Sequence, residues 1–219
     1  SAWASFLLET SFGPAWLVRF VLAFAIMLTI GVARGRRGFA AVVALSAGLL
    51  VSQAWVGHVA SLAAPARWGV ALAYALHVLG AGAWLGGLLS LAVAMKDARG
   101  DTASDRRTAE DVLVRFSSVG LAAVVAIVLG GAINALAHGA SSSATFLASD
   151  WGRALAVKVA LVGGMLLLAS VNRFILMPRL SKAEASALPA LQRSVLVEQM
   201  LGLAVLALAA ALGVLDPSG

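Results

Sequence analysis

Residues 112–138 read VLVRFSSVGLAAVVAIVLGGAINALAH, and after Arg115 no charged residue interrupts the run before His138. A helix of about 20 residues crosses the hydrocarbon core of a bilayer. A bilayer obliges each backbone N–H and C=O to be paired within its own segment, so a run this long and apolar reads as a membrane-spanning helix. Five more such stretches surround it, near 14–33, 39–62, 68–95, 152–176 and 193–215. Across its 219 residues the chain is 61% apolar and 12% charged, with a mean hydropathy of +0.96. No water-soluble domain of this length carries that balance. The alternating ten-residue segments of an outer-membrane barrel are absent. The expected fold is all-α: a polytopic transmembrane helical bundle of about six spans, forming one membrane domain over 1–219.

The net charge of +6 is not a nucleic-acid signal, because the basic residues sit in short loops between spans. Arg34, Arg36 and Arg37 follow the first span, and Lys96, Arg99, Arg106 and Arg107 follow the third. Arg173, Arg179, Lys182 and Arg193 flank the fifth connection. The alternate loops are poor in cations: 63–67 holds only Arg67, 139–150 is serine-rich, and the tail is Asp216-Pro217-Ser218-Gly219. By the positive-inside rule, both termini and these poor loops are expected on the periplasmic side. Trp16, Trp55, Trp68 and Trp151 stand near span ends, where an interfacial aromatic belt is expected. Pairs such as Gly130-Gly131 and Gly163-Gly164 suit close helix contact.

The chain has no cysteine and three histidines, His58, His77 and His138. Without cysteine there are no disulfides, thiolate metal sites or covalent haem attachments of the c type. Histidine is costly in hydrocarbon and is the commonest metal ligand, so intramembrane histidines are functional candidates by default. His58 falls near the outer end of the second span, His77 in the outer half of the third, and His138 at the outer end of the fourth. All three therefore point to one side of the membrane, and imidazoles without thiolates suit copper or zinc. The plainer reading is that each is a buried histidine bonded to a backbone carbonyl or a serine.

Around these residues stand several supporting groups. Asn134 precedes His138 by four residues and shares its helix face. It is either a donor that orients the imidazole or an interhelical hydrogen bond. Trp55 and Trp84 lie a turn or two from His58 and His77 and can wall a site or simply pack. Three charges fall more than one helical turn inside the spans: Arg19, Lys158 and Glu198. Glu198 is expected to pair with Arg173 or to accept from Asn172, with a structural role or one in proton or cation passage. Arg19 and Lys158 snorkel to the outer headgroups or receive an acidic ligand group. The five methionines, Met27, Met95, Met165, Met177 and Met200, are too sparse for a soft-ligand conduit and read as packing residues.

The run His77-Val-Leu-Gly-Ala-Gly-Ala-Trp84-Leu-Gly-Gly-Leu, with Gly57-His58 before it and Arg115-Phe116-Ser117 after it, resembles the copper resistance D (CopD) family of bacterial inner-membrane proteins. Trp151-Gly-Arg-Ala-Leu-Ala-Val-Lys158, Asn172, Pro178, Arg193 and Glu198 continue the pattern in order. The resemblance covers the chain from about Thr10 onward. It implies copper handling, usually uptake from the periplasm, alongside the periplasmic copper-binding protein CopC. It makes His58 and His77 candidate copper residues and carries His138 only by position. Family members commonly have about eight spans, the additional helices preceding a stretch like Thr10-Ser-Phe-Gly. This chain is accordingly expected to be a piece of a longer protein or a short variant.

Three functions of different kinds compete. The first is a copper-handling protein of the inner membrane that is not an enzyme, with copper held by His58, His77 and His138. The second is a single-haem b-type membrane cytochrome with histidine axial ligands, Arg19 and Lys158 receiving the propionates. The third is a structural subunit whose histidines only pack. No nucleophile–base pair, phosphate loop or carboxylate dyad supports a hydrolase.

Overall fold

The computed structural model describes residues 12–55, 66–97, 103–140, 144–182, 184 and 186–215. Among these, every regular element is helical: α1 (Phe12–Val32), α2 (Gly35–Val51), a 3-10 turn (Ser52–Trp55), α3 (Ala66–Asp97), α4 (Ala103–Ala137), α5 (Ala144–Ala148), α6 (Asp150–Val171), a π-helical turn (Asn172–Leu176), α7 (Met177–Ser181) and α8 (Ala187–Leu212). Six stretches are long and apolar enough to cross a membrane: Gly13–Val32, Gly35–Trp55, Ala66–Met95, Asp111–Ala137, Asp150–Ser181 and Ala187–Leu212. These are the six spans expected from the sequence, with shifted ends. The second helix stops at Val51 and tightens through Trp55 instead of running to 62, and 56–62 lies outside the described residues. The last helix begins at Ala187 rather than 193. Pro189 permits this, since a first-turn proline gives up an N–H that would have no helical partner.

Contacts divide the chain into two compact units, one of residues 1–79 with 126–137 and the other of 80–125 with 138–219. In the first, α1 and α2 form a hairpin. The Ala33 N–H closes α1 on the Thr29 carbonyl at 2.7 Å, and Gly35 reverses the chain at φ +66°, a conformation that side chains resist. The outer surface of α1 is apolar: Phe20, Val21, Phe24 and Met27 are all exposed. In water such a face would drive aggregation, whereas in a bilayer it meets its solvent.

The second unit holds the deepest core. Trp84, Leu88, Leu91 and Met95 repeat at helical spacing along α3 and are buried, as are Leu191, Val195, Glu198 and Gly202 along α8. The carboxamides of Gln192 and Gln199 donate to the carbonyls of Met95 (3.0 Å) and Leu88 (3.1 Å), locking α8 antiparallel to α3 in one register. Helix α6 starts with a side-chain cap, Ser149 Oγ accepting from the Gly152 N–H at 3.0 Å. Trp151, expected in the lipid-facing belt, is instead buried, its ring edge-on to Phe146 with centroids 5.7 Å apart. The short α5 supplies that cover, so the aromatic goes inward. Trp16, Trp55 and Trp68 are exposed, as a belt requires.

Candidate functional site

In the first unit His77 sits half-buried on α3, where Gly130 and Gly131 of α4 let the two backbones approach. A Cβ at Gly130 would collide with the Ala73 carbonyl oxygen. One at Gly131 would lie 3.0 Å from the His77 ring. The pair of glycines thus makes the space the imidazole occupies. His77 Nδ1 stands 2.8 Å from the Ile127 carbonyl oxygen. A carbonyl can only accept, so this bond puts the proton on Nδ1 and makes Nε2 the basic nitrogen of the neutral ring. Metal-binding histidines are commonly fixed in this way by a backbone acceptor on the other nitrogen.

Other polar groups of this unit tie α1 and α3 to the turn after α2. Arg19 donates to Ser52 Oγ at 3.2 Å and lies over the Trp16 ring, and Tyr74 donates to Gln53 Oε1 at 3.2 Å. Arg19 is therefore held within the unit rather than simply extended to headgroups. Asn134 turns its amide back onto its own helix, donating to the Gly130 carbonyl at 2.7 Å. Trp55 is exposed in the 3-10 turn.

The second unit contains a cavity of about 320 Å³. Leu88, Leu91, Phe116 and Leu191 give it an apolar lining, and Glu198, Asn172, Arg173, Ser117 and Trp84 supply its polar side. Glu198 is only 1% exposed and is the buried charged side chain among the described residues. It accepts from the Asn172 carboxamide and from the Trp84 side chain. Of the two partners expected for Glu198, Asn172 is the one found. Arg173 instead donates to the carbonyl (3.1 Å) and the hydroxyl of Ser117 on α4.

Three residues of the cavity wall, Asn172, Arg173 and Phe174, lie in the π-helical turn, a feature absent from the sequence expectations. The Met177 N–H reaches back five residues to the Asn172 carbonyl. Its signal was Pro178, whose ring clashes with the carbonyl four residues earlier and which lacks an N–H, so the preceding turn widens. Such turns recur at functional sites.

His58 lies outside the described residues. His138 is half-buried in the turn that ends α4, ahead of Gly139 at φ +83°, and belongs to the second unit. Lys158 is half-buried on α6. Met27 and Met200 are exposed, while Met95 and Met165 are buried, so the methionines share no common surroundings. Among the described residues no three histidine or carboxylate side chains stand close enough together to hold a metal ion.

Comparison with known proteins bears on both units. The family model described as "Copper resistance protein D" matches residues 110–212, and the one described as "Copper resistance protein D-like, N-terminal domain" matches residues 1–68. The His77–Trp84 run falls between the two. The chain is 31% identical over 215 residues to "Inner membrane protein YebZ" of Escherichia coli (strain K12), covering 96% of this chain and 70% of that protein. It is 31% identical over 216 residues to "Copper resistance protein D" of Pseudomonas syringae pv. tomato, covering 95% and 70%. No solved structure matches the chain. The six apolar helices and these relatives describe a multi-pass protein of the bacterial inner membrane. Similarity that runs through nearly the whole chain makes it a member of the copper resistance protein D family.

Proposed function

We propose that this chain handles copper in the inner membrane, accepting it from the periplasmic side through its histidines and passing it into the bundle without catalysing a reaction. Copper is the cargo. In this reading both termini face the periplasm, His58, His77 and His138 supply the imidazoles, and a CopC-like protein is the periplasmic donor. The observation that best supports it is His77, whose Nδ1 contact with the Ile127 carbonyl places the ring proton on Nδ1 and the basic lone pair on Nε2, the nitrogen a metal would take. Family membership and the copper named in the relative from Pseudomonas syringae support the same reading.

The test is metal analysis and an absorption spectrum of the detergent-purified protein, wild type beside His58→Ala/His77→Ala. Near-stoichiometric copper that is lost in the double variant is the expected result. Unchanged copper in the variant would remove the histidine site. A Soret band lost in the variant would make the protein a cytochrome and overturn the copper reading.

A further inference from the structure

We propose that the cavity beside Glu198 is a proton-exchange site, with the Glu198 carboxyl and the Asn172 carboxamide as the binding pair and the proton as ligand. The inference rests on neither the histidines nor copper.

Glu198 is buried among apolar side chains and meets two donors, the Asn172 amide nitrogen and the Trp84 side chain. An ionised carboxylate accepts from both. This leaves Asn172 Oδ1, which is buried and has no hydrogen-bond partner. Buried oxygens of this kind are rare and call for a donor. One proton added to Glu198 supplies it. The carboxylic acid O–H donates to Asn172 Oδ1 while the Asn172 amide donates to the other carboxyl oxygen, closing a two-bond pair. Loss of the proton reopens the pair and leaves a carboxylate still held by two donors. Each state keeps the carboxyl bonded, which a site for reversible proton uptake needs.

The charged groups that line the cavity are Glu198 on α8 and Arg173 on the π-helical turn. From α3 the cavity is faced by Trp84, from α4 by Ser117 and from α6 by Ser170, none of which carries a charge. Arg173 is engaged by Ser117, so no cation is paired with Glu198 among the described residues. Arg173 is also exposed, so the cavity wall it forms reaches the surface of the unit. Intramembrane carboxyls in such settings commonly relay protons or accompany moving cations. The step is a simple protonation, carboxylate plus proton to carboxylic acid, with no electron transfer.

Infrared difference spectra of the full chain reconstituted in lipid, recorded across a pH titration, test the proposal. The expected result is a protonated-carboxyl C=O band that grows on acidification, is absent in Glu198→Gln, and shifts in Asn172→Leu. Glu198→Asp serves as a second variant, keeping a carboxyl but retracting it, so its band must move. A band that persists unchanged in Glu198→Gln, or no titrating band in the folded wild type, overturns the proposal. A band lost in Glu198→Gln yet unmoved in Asn172→Leu overturns the pair. Copper analysis of the same samples reports on the histidines separately.

Discussion

Glu198 accepts from the carboxamide of Asn172, while the guanidinium of the adjacent Arg173 donates to Ser117 instead. The buried carboxyl is thus held by neutral donors and not by a counter-ion. Removing Arg173 should therefore cost little. Arg173→Ala is expected to lower stability by under ~1 kcal/mol, the size of an exposed polar contact, whereas breaking a buried ion pair would cost about 3–5 kcal/mol. Thermal unfolding in detergent distinguishes the two. A loss of the larger size would mean that Arg173 balances Glu198 after all.

Asn172 and Glu198 should behave as one unit. Asn172→Leu leaves a buried carboxyl short of a donor, at a cost of about 1–3 kcal/mol. Glu198→Leu leaves the carboxamide stranded in the same way. With both replaced, the Asn172–Glu198 contact leaves neither partner stranded and only the Trp84 N–H loses its acceptor, so the double variant should lose less than the sum. A coupling of about 0.5–3 kcal/mol in the double-mutant cycle is expected, and additive losses would deny the contact any energetic weight.

Pro178 should be what keeps the preceding turn wide. Pro178→Ala restores a backbone N–H and removes the clash with the Phe174 carbonyl, so the turn is free to tighten into α-helix. Dropping one residue from the wide turn rotates α6 by about 100° relative to α7, at 3.6 residues per turn. Asn172 would then leave Glu198, and the coupling between these two residues should collapse in the Pro178→Ala background. Retained coupling would show that packing, not the proline, sets the turn.

The spans were readable because length and apolarity alone set them, and the Asn172 contact was readable because the fifth and sixth spans meet where both residues fall. The facing of each helix was not. Where nearly every residue is apolar, hydrophobicity no longer separates the core side from the lipid side. Leu88 and Leu89 are chemically identical neighbours, yet one is 1% exposed and the other 61%. The burial of Trp151 is equally hidden in the sequence, since a position near a span end fits a belt and nothing local announces that Phe146 covers it. His77 was found by its residue type, but the carbonyl that orients it lies fifty residues away on α4.

Burial of Trp151 carries its own expectation. Trp151→Ala opens a cavity against Phe146 and should cost about 3–5 kcal/mol, as large-to-small aromatic changes in cores do. Trp68→Ala, on an exposed ring, should stay within about 0.5 kcal/mol in detergent. Equal effects from the two would put Trp151 back in the belt.

The glycines opposite His77 offer a graded test of how the imidazole is seated. A methyl at Gly130 runs into backbone, the Ala73 carbonyl oxygen, so α3 and α4 must separate. A methyl at Gly131 meets the His77 ring at 3.0 Å, and a side chain can yield by a few tenths of an ångström. Gly130→Ala should therefore be the more destabilising in thermal unfolding, toward the upper end of the ~1–3 kcal/mol typical of overpacking, with Gly131→Ala near the lower end. Gly131→Ala instead disturbs the Nδ1 contact with Ile127. If Nε2 binds copper, copper affinity should fall about 10–100-fold, as it does when an orienting partner of a metal ligand is lost. Weakened copper binding in a well-folded Gly131→Ala variant would tie the metal to His77. Unchanged binding in that variant would detach the metal from this imidazole, whatever the stability data show.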